Sequence, residues 1–123
     1  MANVINWFEI PAKNFDRART FYSKVLGGEI HTMDSPNGLK MGFLPGSAPD
    51  AVGGAIVNGE GYEPTTKGSL VYLNGGDDLS GPLSRVEKAG GKVLLPKTSI
   101  GENGFIAHFQ DTEGNRVALH SMK

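Results

Sequence analysis

Two side chains near the start of the chain have the types and spacing that ligand chemistry needs. Trp7 and Glu9 stand two residues apart in VINWFEI, residues 4–10, a short segment rich in β-branched and aromatic residues and followed by a proline. Because side chains alternate along a strand, Trp7 and Glu9 share one face. An indole there can stack on a planar ligand, and a buried, unpaired carboxylate would have a raised pKa and could act as a general base. Two plainer interpretations stay open: Trp7 as a core or dimer-contact residue, and Glu9 as a solvated or ion-paired carboxylate.

Two histidines near the end of the chain are the other candidates. His108 lies in GFIAHFQ and His120 in NRVALHS, two strand-like segments joined by the turn DTEGN. The two imidazoles share a face if this hairpin pairs in even register, whereas a shift of one residue would turn His108 to the opposite face. They could then donate to a ligand oxygen, or bind a divalent metal together with Glu9. His31 has no second donor near it in the sequence and is predicted to be a surface residue.

The composition favours one compact domain and excludes several function classes. The 123 residues include 12 Lys and Arg against 13 Asp and Glu, a net charge of -1 without blocks of like charge, so nucleic acid and anionic membranes are poor partners. The absence of cysteine excludes disulfides, thiolate metal sites and a cysteine nucleophile. MANVINWFEI has no basic region before an apolar run, and no stretch approaches the roughly 20 apolar residues of a membrane span. We therefore expect a soluble, cytoplasmic protein.

The first half of the chain predicts the order strand, helix and three strands. Asn14 can cap a helix in NFDRARTFYSKVLGG, where apolar residues recur at helical spacing and a glycine pair provides the stop. The segments GEIHTM, LKMGFL and VGGAIVNG are then typical of short strands separated by turns. Met41 and Phe43 alternate on one face of the third strand, and core packing is expected for them, with pocket lining as the alternative.

The second half repeats this plan. SLVYLN, residues 69–74, predicts a strand, and Asp78 or Ser80 can cap a helix that ends at a second glycine pair. KVLLPK, GFIAHFQ and NRVALHS complete the set of strands. The order of elements, more than the identity of the letters, indicates an internal repeat.

Together the halves predict an α+β fold made of two tandem βαβββ modules. Module one covers residues 1–60, a polar linker covers 61–68 and module two covers 69–123, all within one domain. The helix of each module covers one face of its sheet, and the other face must be covered by other residues. Joining the modules side by side gives an open, cup-like eight-stranded sheet with a cleft and with the helices outside.

The segments FEIPAKNFDRARTFYSKVLG, GGAIV, LVYLN, VEKAGGKVLLP and FQDTEGNRVALH follow one another over essentially the whole chain. In order and spacing they resemble the vicinal oxygen chelate superfamily, which includes glyoxalase I, extradiol dioxygenases and bleomycin-resistance proteins. This resemblance implies a divalent metal in the cleft, held by His, Glu or Gln side chains from the first and last strand of each module. Such a metal polarises a carbonyl or enediolate oxygen as a Lewis acid, or binds dioxygen.

The positions implied for these ligands lack suitable donors in this sequence. Alignment with the family's landmarks places them at Trp7, Ser69 and Ala118, with the fourth near Ala55 to Val57 unless the register slips to Asn58. Indole and methyl groups do not ligate metals, and serine is a poor ligand. By the family's geometry Trp7 and Glu9 face the cleft, and His120 shares the face of Ala118. No cofactor is therefore expected, although a displaced divalent metal remains an alternative.

Three hypotheses follow for the function. The first is a metal-independent, glyoxalase-like protein that binds a small, planar or partly apolar molecule and pairs as a homodimer to complete its cleft. The second is a lyase-like or isomerase-like enzyme that uses a displaced metal or Glu9 as a metal-free base. The third is an interaction module with a filled cleft. The candidate residues are Glu9 for catalysis and, for ligand binding, Trp7, Ser69, His108, Ala118 and His120.

Overall fold

The computed structural model describes residues 3–46 and 50–123. In chain order the first half contains β1 (Trp7–Pro11), α1 (Phe15–Leu26), β2 (His31–Asp34), β3 (Lys40–Phe43) and β4 (Gly53–Asn58). The second half contains β5 (Tyr72–Asn74), α2 (Ser80–Val86), β6 (Lys92–Ser99), a 3-10 turn (Gly101–Asn103), β7 (Phe105–Gln110) and β8 (Arg116–Ser121). The predicted α+β class with two βαβββ modules is confirmed.

The long helix α1 forms for the reasons that the sequence indicates. The Asn14 side chain accepts the backbone N–H of Arg17 at 3.1 Å and so satisfies one of the free donors of the first turn. Gly27 ends the helix with φ 71°, a left-handed conformation that favours glycine. Phe15, together with Ala18, Tyr22 and Val25 one turn apart, is buried on one side of α1.

The eight strands form two open, four-stranded mixed sheets with equivalent topology. The strand order is β1-β4-β3-β2 in the first sheet and β5-β8-β7-β6 in the second. In each sheet the first strand of the module, β1 or β5, runs parallel to its neighbour, and the remaining pairs are antiparallel. The repeat predicted from the order of elements is therefore also a repeat of strand pairing.

β1 and β5, which carry candidate site positions, each begin three residues later than the sequence predicts. β1 starts at Trp7 instead of residue 4, because the ladder with β4 begins at the pair Trp7 and Gly53, and Val4 is 94% exposed. β5 starts at Tyr72 instead of residue 69, because its ladder with β8 begins opposite Ala118. The apolar sequence of both segments begins earlier, but only the residues that pair with a neighbouring strand form part of β1 or β5.

The helix-side faces of both modules contribute to one hydrophobic core. The Phe15 ring reaches Gly42 of β3, where an added Cβ would lie 3.1 Å from it. Phe21 of the same helix packs against Phe109 of β7, with ring centroids 5.8 Å apart. Helix α1 therefore contacts both sheets, and each sheet keeps a second face that points away from this core.

The turn between β7 and β8 joins the two modules through a buried carboxylate. Asp111 accepts the hydroxyl of Tyr22 at 2.6 Å, and it also accepts the backbone N–H of Glu113 and of Asn115 and the Asn115 amide. The Asn115 amide donates in addition to the carbonyl of Pro11 at 2.8 Å. Burial, with the Asp111 charge beside it, raises the pKa of Tyr22 well above its usual value, so this hydroxyl stays a donor.

A second carboxylate in the same turn binds the start of α1. Glu113, whose side chain is buried, accepts the backbone N–H of Asn14 at 2.6 Å and the guanidinium of Arg17 at 2.7 Å. Burial opposes ionisation of Glu113, but the hydrogen bonds from Arg17, Asn14 and Thr112 outweigh it and hold its pKa below the ordinary value. The ionised form also faces the positive end of the α1 dipole.

In the part of the chain that the structure describes, no helix is long and apolar enough to cross a membrane.

Substitution Glu113→Gln tests this tie between the modules. The folded pKa lies below the ordinary value of 4.5, so the carboxylate contributes its stability in full above that pH and loses it as the pH falls below 4.5. We expect the variant to lose about 1–3 kcal/mol of unfolding free energy at pH 7 and to show a smaller loss between pH 5 and 3 than the wild type. Urea unfolding at several pH values measures both.

The exposed residue Glu60 provides the control, and Glu60→Gln is expected to keep the wild-type pH dependence. Equal pH dependence of Glu113→Gln and the wild type would contradict the role given to Glu113.

Candidate functional site

The open face of the first sheet carries an exposed aromatic pair. Trp7 of β1 is 44% exposed, and its ring meets the Phe43 ring of β3 edge to face at 6.0 Å between centroids. Phe43 pairs with Ala55 of β4, which pairs with Glu9, so all three lie on this face. The expected core packing of Phe43 is therefore wrong, and so is that of Met41 two residues before it. Both side chains belong to the open face.

Glu9 holds two neighbouring side chains in place. One carboxylate oxygen accepts the indole N–H of Trp7 at 3.3 Å, and the other accepts the hydroxyl of Tyr62 at 2.8 Å. The hydrogen bond to Glu9 is the main cause of the raised pKa of Tyr62. The expected shared face of Trp7 and Glu9 is confirmed, and Glu9 is paired within the chain.

Sequence reasoning missed Tyr62, because it lies in the predicted linker and not in a periodic segment. The only signal for it is an aromatic residue in an otherwise polar, glycine-containing stretch. Its contact with Glu9 spans 53 positions and depends on how the linker folds back over β1.

The open face of the second sheet carries a polar row built around Ala118. Tyr72 of β5 and His108 of β7 pair with Ala118 of β8 from its two sides. The β7–β8 hairpin therefore has the even register on which the shared face of His108 and His120 depends. Ala118 is completely buried, since the Tyr72 hydroxyl and the His108 Nε2 meet at 3.0 Å across it.

The ring nitrogens of His108 have defined roles. The Arg116 Nε–H donates to Nδ1 at 3.1 Å, and a guanidinium can only donate, so Nδ1 carries no proton. The proton of the neutral ring is then on Nε2, which donates to the Tyr72 oxygen. Burial, and secondarily the positive charge of Arg116, lower the pKa of His108 and favour this neutral form.

His120 lines a pocket at one end of the second sheet, where residues from both faces of the sheet meet. Its Nε2 donates to the carbonyl of Asn103 at 2.6 Å and so fixes the turn before β7. The pocket has a volume of about 700 Å³ and is lined by Tyr72, Leu73, Asn74, Gly76, Ile100, Ile106, His120, Ser121 and Met122. It combines apolar walls with a few polar groups, as small-molecule sites do.

The other predicted positions are less central. Ser69 is exposed and precedes β5, so the residue that faces Ala118 is Tyr72. The Asn58 side-chain amide donates to the carbonyls of Ala12 and Lys13 and so holds the backbone that follows β1. His31 is exposed on β2, as predicted.

The donor chemistry of the site does not fit the metal that the family resemblance implies. Trp7, Ala55 and Ala118 carry no metal-binding atom, and both nitrogens of His108 are already hydrogen-bonded. Within residues 3–46 and 50–123, no three His, Asp or Glu side chains converge as metal ligands. A displaced site made of His120, His108 and Glu9 is therefore not assembled.

Solved structures share this fold. The chain superposes on a glyoxalase/bleomycin resistance protein from Albidiferax ferrireducens with TM-score 0.75 and 14% identity, over 98% of this chain and 100% of that one. For a fosfomycin resistance protein from Listeria monocytogenes the TM-score is 0.67 at 12% identity, over 100% of this chain and 94% of that one. For glyoxalase I from Zea mays the TM-score is 0.69 at 22% identity; 94% of this chain is covered but only 45% of that chain.

Sequence comparison identifies the family. A glyoxylase-like domain-containing protein of Didymella fabae is 32% identical over 123 residues, which cover 94% of this chain and 91% of that protein. The family model described as Glyoxalase/Bleomycin resistance protein/Dioxygenase superfamily matches residues 4–119. The confirmed βαβββ repeat, the strand pairing and these matches agree, and the chain belongs to the Glyoxalase/Bleomycin resistance protein/Dioxygenase superfamily.

Proposed function

We propose that this protein binds a small, planar or partly apolar molecule on its open sheet faces, without the divalent metal usual in its family. The observation that carries this proposal is the exposed indole of Trp7. It stands at the position where the family resemblance implies a metal ligand, and it offers a flat apolar surface instead of a donor atom.

The surroundings of Trp7 support a preorganised binding surface. Its N–H is tied to Glu9 and its ring is braced by Phe43, so the indole is oriented before any ligand arrives. Preorganisation reduces the entropy lost on binding. An aromatic ring that is nearly half exposed also loses water-accessible apolar area when a planar molecule covers it.

The hydrogen bonds of Glu9 favour binding over catalysis by this residue. Each of its oxygens accepts a donor from the chain itself, the Trp7 indole on one side and the Tyr62 hydroxyl on the other. These two hydrogen bonds fix the orientation of the carboxylate, although each of its oxygens keeps a second lone pair. Glu9 is better suited to holding Trp7 and Tyr62 in place.

We also propose that two copies pair to complete the binding cleft. The core of the chain lies on the helix side of both sheets, and the opposite faces carry exposed apolar side chains, among them Trp7, Met33 and Tyr72. A second copy that covers these faces would bury them and enclose a ligand between them. The cytoplasmic location expected from the composition stays a prediction.

The only tryptophan makes ligand binding directly observable. In a ¹H–¹⁵N spectrum the indole N–H of Trp7 gives one assignable signal, which we expect to shift saturably on titration with the neutral planar probe 2-naphthamide. Trp7→Ala should weaken binding about tenfold or more, and Trp7→Phe less, because a smaller ring retains part of the stacking area.

Val4→Ala, at a 94% exposed apolar position, is the matched control and should bind like the wild type. Binding that leaves the indole signal unmoved, or no binding at millimolar concentration, would contradict the proposal.

Metal content and assembly are tested on the same preparation. Elemental analysis after incubation with zinc, nickel or manganese and gel filtration should find far less than one ion per chain, and a chelator should leave the melting temperature unchanged. Sedimentation should give about twice the chain mass of 13.1 kDa. One tightly bound ion per chain would refute the metal-free proposal, and a monomer at all concentrations would refute the pairing.

A further inference from the structure

The open face of the second sheet contains a hydrogen-bonded row of three side chains that keeps donors free at its two ends. Arg116 donates to His108 Nδ1 at 3.1 Å, and His108 Nε2 meets the Tyr72 hydroxyl at 3.0 Å. We call these three residues the donor row.

The direction of donation along the row follows from the guanidinium. Since Arg116 can only donate, His108 must accept at Nδ1 and donate from Nε2. The Tyr72 oxygen therefore accepts from the imidazole, and its own proton is left for a partner outside the row. Tyr72 is 46% exposed, so that partner can come from solvent or a ligand.

Arg116 adds a positive charge that the chain does not neutralise. The ion pairs within residues 3–46 and 50–123 are Arg17 with Glu113 and Lys97 with Asp78, so Arg116 has no carboxylate partner there. Its Nε is used by His108, while its terminal nitrogens donate to no other residue in that part of the chain. A guanidinium with free terminal donors matches the geometry of a carboxylate.

The neighbourhood provides room for an apolar group beside these donors. Tyr72 also lines the pocket of about 700 Å³, together with Ile100, Ile106 and Met122. Ala118 between Tyr72 and His108 has only a methyl group, which allows the two rings to meet above it.

We propose that the donor row binds the carboxylate of a small organic acid whose apolar body lies in the adjoining pocket. Tyr72 supplies the directed hydrogen bond and Arg116 supplies the charge. His108 positions Tyr72 and does not itself contact the bound carboxylate. This inference rests on the proposed small-molecule function and narrows it to anionic ligands. A neutral ligand of the same shape gains neither the charge nor a charge-assisted hydrogen bond.

The test compares two probes of matched shape, 2-naphthoate and the neutral 2-naphthamide, by NMR titration of the intact protein. We expect 2-naphthoate to bind at least tenfold more tightly and to shift the Arg116 side-chain signals. Tyr72→Phe and Arg116→Gln should each weaken 2-naphthoate binding about tenfold and weaken 2-naphthamide binding by a clearly smaller factor, because a neutral acceptor forms the weaker hydrogen bond.

Two further measurements exclude a merely structural effect of the substitutions. The imidazole ¹⁵N shifts of His108 should show the Nε2–H form in the wild type, and Arg116→Gln should raise the pKa of His108 by removing the adjacent positive charge. Arg19→Gln, at an exposed position of α1, is the charge-matched control and should leave both probes unaffected.

The outcomes separate the two proposals. Equal affinity for both probes, or 2-naphthoate binding that is unchanged in Tyr72→Phe and Arg116→Gln, overturns the donor row as a carboxylate site and leaves the small-molecule function standing. Failure of both probes to bind at millimolar concentration overturns both.

Discussion

The buried carboxylate of Asp111 is the contact on which the arrangement of the two modules depends. It receives the Tyr22 hydroxyl from α1 and three donors from its own turn, so a charge inside the protein is fully hydrogen-bonded. Asn115 extends the network to the end of β1 through the Pro11 carbonyl. The strand that carries Trp7 and Glu9 and the strand that carries Arg116, Ala118 and His120 are thereby fixed to the same turn. Together with the Glu113 contacts and the shared core, this connection fixes the two open faces relative to each other.

Local signals predicted much of the fold. The Asn14 cap, the left-handed Gly27 and the periodic apolar face define α1 without help from the rest of the chain, and strand alternation placed Trp7 and Glu9 on one side. Features that depend on distant partners were less accessible. Where β5 begins is decided by its ladder with β8, about 45 residues further along, and the side of Met41 and Phe43 is decided by pairing with β4. The sequence did not indicate Tyr62, Tyr72 and Arg116 as site residues, because their contacts with Glu9 and His108 form only in the folded chain.

The two open faces solve a similar chemical problem in different ways. Each face has a small residue on the strand next to the parallel edge strand: Ala55 on β4 in the first sheet and Ala118 on β8 in the second. Both lie at or near a position where the family resemblance implies a metal ligand. In the first sheet an aromatic pair and a carboxylate surround that residue, whereas in the second a tyrosine and a histidine hydrogen-bond across it. Replacing long donor side chains by methyl groups leaves space, and the neighbouring strands fill it. Where metal-binding donors are absent, side chains of the neighbouring strands therefore pack and hydrogen-bond over the small residue.

The tie between Glu113 and the start of α1 also bears on how the chain reaches its fold. The hydrogen bonds from Asn14 and Arg17 join residues 99 and 96 positions apart, and the Tyr22 contact with Asp111 spans 89. The first module is synthesised before the β7–β8 hairpin that supplies these carboxylates. Closing such long loops carries an entropic penalty that only the finished core can offset. The start of α1 therefore forms its contacts with Glu113 and Asp111 only after the last hairpin exists, and before that it relies on interactions within module one, such as the Asn14 cap and the pairing of β1 with β4.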